Sequence, residues 1–257
     1  MSAGPLQVAA HGAGRDLALV HGWGFSGPAL LPLAERLART RRVHLVDLPG
    51  HGGSRAVPFP ATLVELAGLL ADSVPGAADW AGWSLGGLAC LQLALARPER
   101  VARLALVCAT PRFAQADDWM AAVAADTLQG FTDGLAADPA GTLARFAGLA
   151  AHGDLEQRAV LRRLRAELAN ADAVPEALGS GLALLADSDL RAAGRGLAVP
   201  LLCLLGSDDA LVPAAAATAL AALWPKGRVE VIAGAGHAPF VARPDACHAA
   251  LERFLDE

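Results

Sequence analysis

A serine between closely spaced glycines is the strongest chemical signal in the chain, which reads GWSLG over residues 82–86. The motif follows a short apolar run typical of a buried strand and precedes apolar residues at helical spacing. Flanking glycines let the chain turn sharply, which would expose the hydroxyl of Ser84 at the end of the strand. The N–H groups at the start of the following helix favour negative charge at that point. The pattern predicts a nucleophilic serine rather than a plain tight turn.

Such a serine needs a base, because a hydroxyl is a weak nucleophile by itself. Where a nucleophilic serine lies in such a turn between a strand and a helix, a carboxylate and then a histidine follow it in the sequence. His237 follows a predicted strand in a glycine-containing loop, whereas His152 lies in a helical segment and His248 in a terminal helix pattern. Asp208 and Asp209 both follow a predicted strand, and spacing alone does not separate them. Asp209 is preferred because Asp-x-Leu-Val-Pro is the usual arrangement of such loops.

Acyl transfer also needs hydrogen-bond donors for the oxygen that becomes negative in the tetrahedral intermediate. The N–H of Leu85 is the first candidate, because this residue follows the serine. A second is expected from the HGWG loop at residues 21–24, most simply the N–H of Trp23. The Trp23 side chain is also expected to form a wall of the acyl pocket, and His21 to brace the loop.

Short apolar runs alternate with runs of helical spacing over most of the chain. Continuous apolarity favours parallel strands covered on both faces, and strand–helix alternation favours a doubly wound, mostly parallel α/β sheet. Predicted strands cover residues 17–21, 43–47, 79–83, 103–109, 201–206 and 228–232, and predicted helices cover 30–39, 62–73, 85–96 and 214–223.

The alternation stops between about residues 111 and 195, where nearly every pattern is helical. Such a segment is too long for an ordinary crossover. Breaks are expected at Gly134, Pro139, Gly153 and Pro175. We expect a helical cap (111–195) inserted into an α/β core (1–110 and 196–257), above the carboxyl edge of the sheet where open α/β sheets bind ligands. The cap, rather than the core, is expected to select the substrate.

Composition excludes several classes of function. A net charge of −5 argues against nucleic acid as a partner. No apolar run approaches the ~18 residues of a membrane span, and the opening 14 residues lack the features of a signal peptide, so a cytoplasmic location is expected.

Metal and cofactor sites are not expected either. The four cysteines are scattered and predict buried thiols, no His/Asp/Glu/Cys set has metal-ligand spacing, and the glycines at residues 50–53 lack nucleotide-binding spacing.

Arginines cluster in one helical stretch of the predicted cap. Three of them share a helix face at spacing i, i+4 and i+7: Arg158, Arg162 and Arg165. Arg145 precedes them on another predicted helix. In an acidic protein such a face could receive an acidic carrier protein or a phosphate. The alternative is a solvated helix whose arginines pair with Glu156 and Glu167.

At this point the chain resembles, over nearly its full length, the pimeloyl-[acyl-carrier protein] methyl ester esterases of biotin synthesis, which have the α/β-hydrolase fold. The matching segments are HGWG at 21–24, VDLPG at 46–50, GWSLGGL at 82–88, RPERV at 97–101, LVP at 211–213 and HAPF at 237–240. Most are shared with other esterases, whereas the pair Trp23 and Trp83 together with HAPF is narrower. That fold implies a cap inserted after the sixth strand.

The resemblance implies a catalytic triad of Ser84, Asp209 and His237, with Trp23 and Leu85 at the ester carbonyl. It implies an acyl channel lined by Phe146, Ala147, Gly148, Leu149 and Ala150. It also implies that the carrier protein docks on Arg145, Arg158 and Arg162. We expect a monomer that needs no cofactor and no metal. Gly141 and Ala150 depart from the family pattern, which has a basic and a polar residue there.

Other functions remain open from the sequence. One is a short-chain carboxylesterase without a carrier-protein partner. Another is the related lyase of menaquinone synthesis, which shares Asp-Leu-Pro-Gly-His-Gly-Gly-Ser but would place an arginine at Leu88. The last is a binding protein that kept the fold without catalysis, against which the intact Ser, Asp and His set argues.

Overall fold

The computed structural model describes residues 6–257. The predicted core begins at residue 1, so its first five residues lie outside the described part. The same five residues belong to the opening segment for which no signal peptide is predicted. The strands are β1 (Val8–His11), β2 (Arg15–Val20), β3 (Arg41–Val46), β4 (Ala78–Trp83), β5 (Val101–Val107), β6 (Leu201–Gly206) and β7 (Arg228–Ile232). The helices are α1 (Leu31–Leu37), α2 (Leu63–Ser73), α3 (Leu85–Ala96), α4 (Ala125–Ala137), α5 (Pro139–Ala150), α6 (Gln157–Asn170), α7 (Pro175–Asp187), α8 (Arg191–Gly194), α9 (Ala216–Leu223), α10 (Pro239–Ala242) and α11 (Pro244–Leu255).

One seven-stranded sheet in the order β1-β3-β2-β4-β5-β6-β7 organises the described residues. Strand β1 runs antiparallel to β3, and all other neighbours are parallel. The central strands β4 and β6 are buried along their whole length, as continuous apolar runs predict. The mostly parallel, doubly wound α/β fold is confirmed.

All six predicted strands are present, with β6 and β7 at the predicted bounds. Strand β1 was not predicted, because it has only four residues, two of them exposed, and shows no continuous apolar run. Helix α2 begins as its sequence suggests, since Thr62 and Glu65 form a reciprocal capping box.

Helices α4 to α8 occupy the interval between β5 and β6. They follow the fifth strand, so the expected position after the sixth strand is wrong for this chain: only β1 to β5 form in the described residues before them. Pro139 and Pro175 begin helices and Gly153 lies in a turn, as expected. Gly134 does not break its helix, because α4 continues through it and packs it against Thr142.

The order in which strands are added to the sheet reverses between β2 and β4. The crossover from β2 places β3 on one side of β2, and β4 to β7 are added on the other side. Loops that leave the carboxyl ends of β2 and β4 therefore diverge and open a crevice, where ligands bind in open α/β sheets. The HGWG loop follows β2 and the GWSLG turn follows β4.

The amino edge of the same sheet buries a charged cluster. Asp79 near the start of β4 is fully buried and pairs with Arg41 and Arg103 at 3.4 Å each and with Arg15 at 3.7 Å. Burial raises the pKa of this carboxyl, and the three guanidinium groups oppose that rise. Within residues 6–257, no helix combines the length and the apolar character that a membrane crossing requires.

Candidate active site

Ser84 occupies the turn between β4 and α3 in a strained conformation. Its backbone has φ 55° and ψ −119°, a region that residues other than glycine seldom adopt. The strain is held by packing on both sides, since a Cβ on Gly82 would lie 2.4 Å from the Gly86 carbonyl oxygen and one on Gly86 would lie 2.4 Å from the His21 carbonyl oxygen. Both glycines of the motif are therefore required for the turn.

The Ser84 hydroxyl lies at the end of a hydrogen-bonded chain of three side chains. His237 Nε2 is 2.9 Å from Ser84 Oγ, and His237 Nδ1 is 2.8 Å from Asp209 Oδ2. The other oxygen of Asp209 accepts the N–H groups of Leu211 and Val212 at 2.8 and 2.9 Å. All three side chains are buried, so the hydrogen bonds are shielded from water.

Between the two candidate carboxylates, the geometry selects Asp209. Asp208 is exposed and accepts a hydrogen bond from the Ser207 hydroxyl instead. The structure thus brings together Ser84, Asp209 and His237, the three residues predicted as a triad. In this arrangement the imidazole can take a proton from the serine while the carboxylate fixes its tautomer.

The loop that carries His237 is fixed from several directions. The indole N–H of Trp83 donates to the His237 carbonyl oxygen at 2.7 Å. The N–H of His237 donates to the Ala150 carbonyl oxygen at 3.0 Å, and the N–H of Gly236 donates to Asp154 Oδ1 at 2.5 Å. Two of these three contacts come from the last residue of α5 and from the turn that follows it, so the inserted helices contribute directly to the position of the imidazole.

Two buried N–H groups near the serine have no acceptor within residues 6–257. They belong to Leu85, the first residue of α3, and to Trp23 in the HGWG loop. The loop abuts the turn closely, because a Cβ on Gly22 would lie 3.2 Å from Ser84 Cβ. Unpaired buried donors are costly unless a ligand uses them. Together they form a candidate oxyanion hole at the predicted residues.

His21 braces this loop, as predicted, and it does so in its neutral form. Its Nδ1–H donates to the Gly22 carbonyl oxygen, and its Nε2 accepts the Leu48 N–H, both at 2.9 Å. Burial lowers the pKa of His21 to about 4, which keeps the ring uncharged at neutral pH.

A small apolar cavity, of about 20 Å³, is lined by the serine. Ser84 and His237 form its polar end, and its other lining residues are apolar. Trp23 is one wall, with its ring 4.9 Å from that of Phe146 and its indole N–H donating to the Leu178 carbonyl oxygen. The remaining lining residues are Phe113, Val123, Leu128, Phe131, Leu182, Leu185 and Leu211. Apart from Leu211, these come from residues 111–195, which therefore supply most of the cavity wall.

The stretch expected to line an acyl channel does so at one position only. Phe146 lines the cavity, whereas Ala147, Gly148, Leu149 and Ala150 do not. Successive residues of α5 point in directions about 100° apart, so five in a row cannot face one cavity. The missed lining residues carry a readable signal: the pairs Leu128/Phe131 and Leu182/Leu185 have i, i+3 spacing on α4 and α7.

The arginines differ in their surroundings. Arg158, Arg162 and Arg165 are exposed on α6 and have no ion pair within residues 6–257, whereas Arg163 pairs with Glu167 at 2.7 Å. Arg145 is also exposed, and its guanidinium lies 5.1 Å above the ring of Phe131, a cavity-lining residue.

The local structure explains why position 141 is a glycine and not the basic residue expected there. Its N–H donates to the capping carboxylate of Asp138 at the start of α5, and an added Cβ would lie 2.1 Å from that carboxylate.

The four cysteines are free and buried, as predicted. Cys108, Asp209 and His237 place ligand-type atoms within 4.8 Å of one another. Asp209 and His237 are already hydrogen-bonded to each other. Burial raises the pKa of the Cys108 thiol far above its usual value, so this group stays protonated and does not offer a thiolate to a metal.

Comparison with known proteins agrees with this architecture. Residues 17–250 match the model of the "Alpha/beta hydrolase family". The chain therefore belongs to the α/β-hydrolase family. A solved esterase from Exiguobacterium antarcticum superimposes with a TM-score of 0.86 over 98% of this chain and 96% of that chain, at 22% identity, a likeness that concerns the fold alone.

Within the family, the predicted resemblance to one kind of esterase is confirmed. The "Pimeloyl-[acyl-carrier protein] methyl ester esterase" of Xanthomonas oryzae pv. oryzae (strain MAFF 311018) is 45% identical over 95% of this chain and 96% of its own length. The protein of the same name from Stenotrophomonas maltophilia (strain R551-3) is 43% identical over 97% of this chain and 96% of its own length.

Proposed function

We propose that this protein is a serine carboxylesterase that hydrolyses the methyl ester of pimeloyl-[acyl-carrier protein]. The observation that carries the proposal is the hydrogen-bonded chain of Ser84, His237 and Asp209 at the polar end of an apolar cavity. Homology to esterases named for that substrate supports the choice of substrate over a generic short ester.

In the proposed reaction, Ser84 Oγ attacks the ester carbonyl while His237 Nε2 takes its proton. The oxygen that becomes negative accepts the N–H groups of Trp23 and Leu85. Collapse of the tetrahedral intermediate breaks the bond to the methoxy group, and the imidazolium returns the proton so that methanol leaves. Water, deprotonated by His237, then attacks the acyl-enzyme, and the serine is released with a free carboxylate product. Asp209 holds the imidazole and stabilises its cation.

Substrate selection is assigned to residues 111–195 acting as a cap. These residues supply most of the lining of an uncharged cavity. An apolar lining favours the methylene chain of a pimeloyl group over a charged group, because burying an unpaired charge is costly. Arg158, Arg162 and Arg165 of α6 have no ion pair within residues 6–257, and together with Arg145 on the outer side of a cavity wall they offer cationic groups to an acidic carrier protein.

Two assays test the proposal in sequence. Ser84→Ala is expected to lower hydrolysis of p-nitrophenyl butyrate by at least ~10³-fold, and wild-type-like turnover in this variant would refute the assignment of the nucleophile. The gene is then introduced into a biotin-requiring strain that lacks its own esterase of this type. Growth without biotin supports the carrier-bound substrate, whereas hydrolysis of small esters without such growth favours a generic carboxylesterase.

A further inference from the structure

Asp154 is a buried carboxylate that the proposed chemistry does not use. It lies in the turn between α5 and α6 and is only 5% exposed. Its Oδ1 accepts the N–H of Gly236 at 2.5 Å across 82 residues of sequence. Its Oδ2 is buried and has no hydrogen-bond partner within residues 6–257.

The contact of Asp154 is one of a pair. The N–H of Gly236 is bound by Asp154, and the next N–H along the chain, that of His237, is bound by the carbonyl oxygen of Ala150. The loop sits directly against this turn, because a Cβ on Gly236 would lie 2.9 Å from the His152 carbonyl oxygen and 3.0 Å from that of Ala150. The end of α5 and the turn that follows it therefore hold one side of the backbone that carries the imidazole.

A charge at this place is unfavourable for the fold. Burial raises the pKa of Asp154 to about 6, with smaller contributions in the same direction from Asp209 and Asp208, while the hydrogen bond from Gly236 and the charge of Arg243 lower it. A buried acid that is neither ion-paired nor fully hydrogen-bonded costs stability at neutral pH. Such groups cluster at functional sites, where position matters more than stability.

We propose that Asp154 is a positioning residue that holds the general base His237 from the inserted helices, so that these helices complete the catalytic site as well as covering it. This inference rests on the proposed function, because it assigns Asp154 a role only through His237. The carboxylate acts on kcat and leaves the binding of a small ester unchanged, since it does not line the cavity.

The test compares Asp154→Ala and Asp154→Asn with a matched control, Asp138→Ala. Asp138 makes the same kind of contact, a carboxylate accepting a glycine N–H at 2.9 Å in the inserted helices, but it lies on the surface. Turnover of p-nitrophenyl butyrate is measured, with the concentration of folded enzyme taken from circular dichroism and that of reactive serine from the burst of p-nitrophenol.

Asp154→Ala is expected to lower kcat by about 10–100-fold per folded molecule with KM changed less than about twofold, because a small displacement of a catalytic group has effects of this size. Asp154→Asn keeps an acceptor for Gly236 and is expected to recover most of this loss. Asp138→Ala is expected to keep the wild-type kcat. A kcat within about twofold of wild type for Asp154→Ala, or an equal loss in both alanine variants, overturns the inference.

Ser84→Ala is assayed alongside these variants. If Ser84→Ala stays active, the proposed function itself fails. If Ser84→Ala is inactive and Asp154→Ala is fully active, only the positioning role fails.

Discussion

The two edges of the sheet each bury an aspartate, and they surround it in opposite ways. At the amino edge, Asp79 lies among three arginines. At the carboxyl edge, Asp209 accepts two backbone N–H groups and one imidazole, and within residues 6–257 no arginine or lysine pairs with it. The first arrangement compensates a buried charge, so that removal of one partner would leave the others uncompensated inside the fold. The second leaves a negative charge in place to orient an imidazole and stabilise its cation, which is what catalysis requires.

The largest expected effect comes from neutralising the carboxylate at the carboxyl edge. Asp209→Asn keeps an oxygen for the N–H groups of Leu211 and Val212 but favours the wrong tautomer of His237. We expect kcat for p-nitrophenyl butyrate to fall by about 10³–10⁴-fold, with a melting temperature close to that of wild type. A loss below tenfold would show that the carboxylate does not act through the histidine.

Removal of the buried carboxylate at the amino edge is expected to alter stability instead of turnover. Asp79→Ala removes the common partner of three arginines and leaves the buried Arg41 with Asp256 alone. The free energy of unfolding is expected to fall by about 3 kcal/mol, with kcat changed less than about threefold. Urea denaturation measures the first quantity, and a large loss of kcat in fully folded protein would contradict the division of roles between the edges.

Reversing the charge of two surface arginines tests whether the carrier-bound substrate docks on α6. Arg158→Glu with Arg162→Glu on α6 is expected to raise KM for pimeloyl-[acyl-carrier protein] methyl ester on the order of tenfold at low salt, because exposed charges act on encounter and docking. Turnover of p-nitrophenyl butyrate is expected to stay unchanged. The matched control is Arg39→Glu with Arg42→Glu beside the amino edge, which changes the net charge equally. An equal rise of KM in both double variants would argue against a docking face.

The smallest expected effect is a pH dependence of stability at the carboxyl edge. The pKa of Asp154 is raised to about 6, so the folded state binds its proton more tightly than the unfolded state. The stability that this protonation contributes is complete below about pH 4 and is lost as pH rises through 6. The melting temperature of Asp154→Asn relative to wild type should therefore increase by on the order of 5 °C between pH 4 and pH 7. Calorimetry at several pH values tests this, and a constant difference would contradict the raised pKa.

The sequence predicted the parallel strands better than the antiparallel strand β1. Buried parallel strands such as β6 show as continuous apolar runs. The predicted bounds of β6 match the structure, and those of β2 to β5 lie within two residues of the observed ends. The antiparallel strand β1 has no such run, since it has only four residues and two of them are exposed.

For the candidate site, residues that belong to local motifs could be predicted from the sequence, whereas residues that act through long-range contacts could not. The glycines around Ser84 and the chain order of the partners pointed to the three residues that the structure brings together. The choice between Asp208 and Asp209 rests on which side chain turns inward, which spacing does not encode. Asp154 was missed because its partner Gly236 lies 82 residues away, and a lone aspartate in a turn carries no local signal.

The central claim is that Ser84 is the residue that becomes acylated. Its most direct test is the reaction of the purified protein with a fluorophosphonate, followed by intact-mass measurement and peptide fragmentation. The account predicts one adduct per chain, located on Ser84, formed rapidly by the wild-type protein and very slowly by His237→Ala. An adduct on another residue, or one that Ser84→Ala still forms at the wild-type rate, would contradict it.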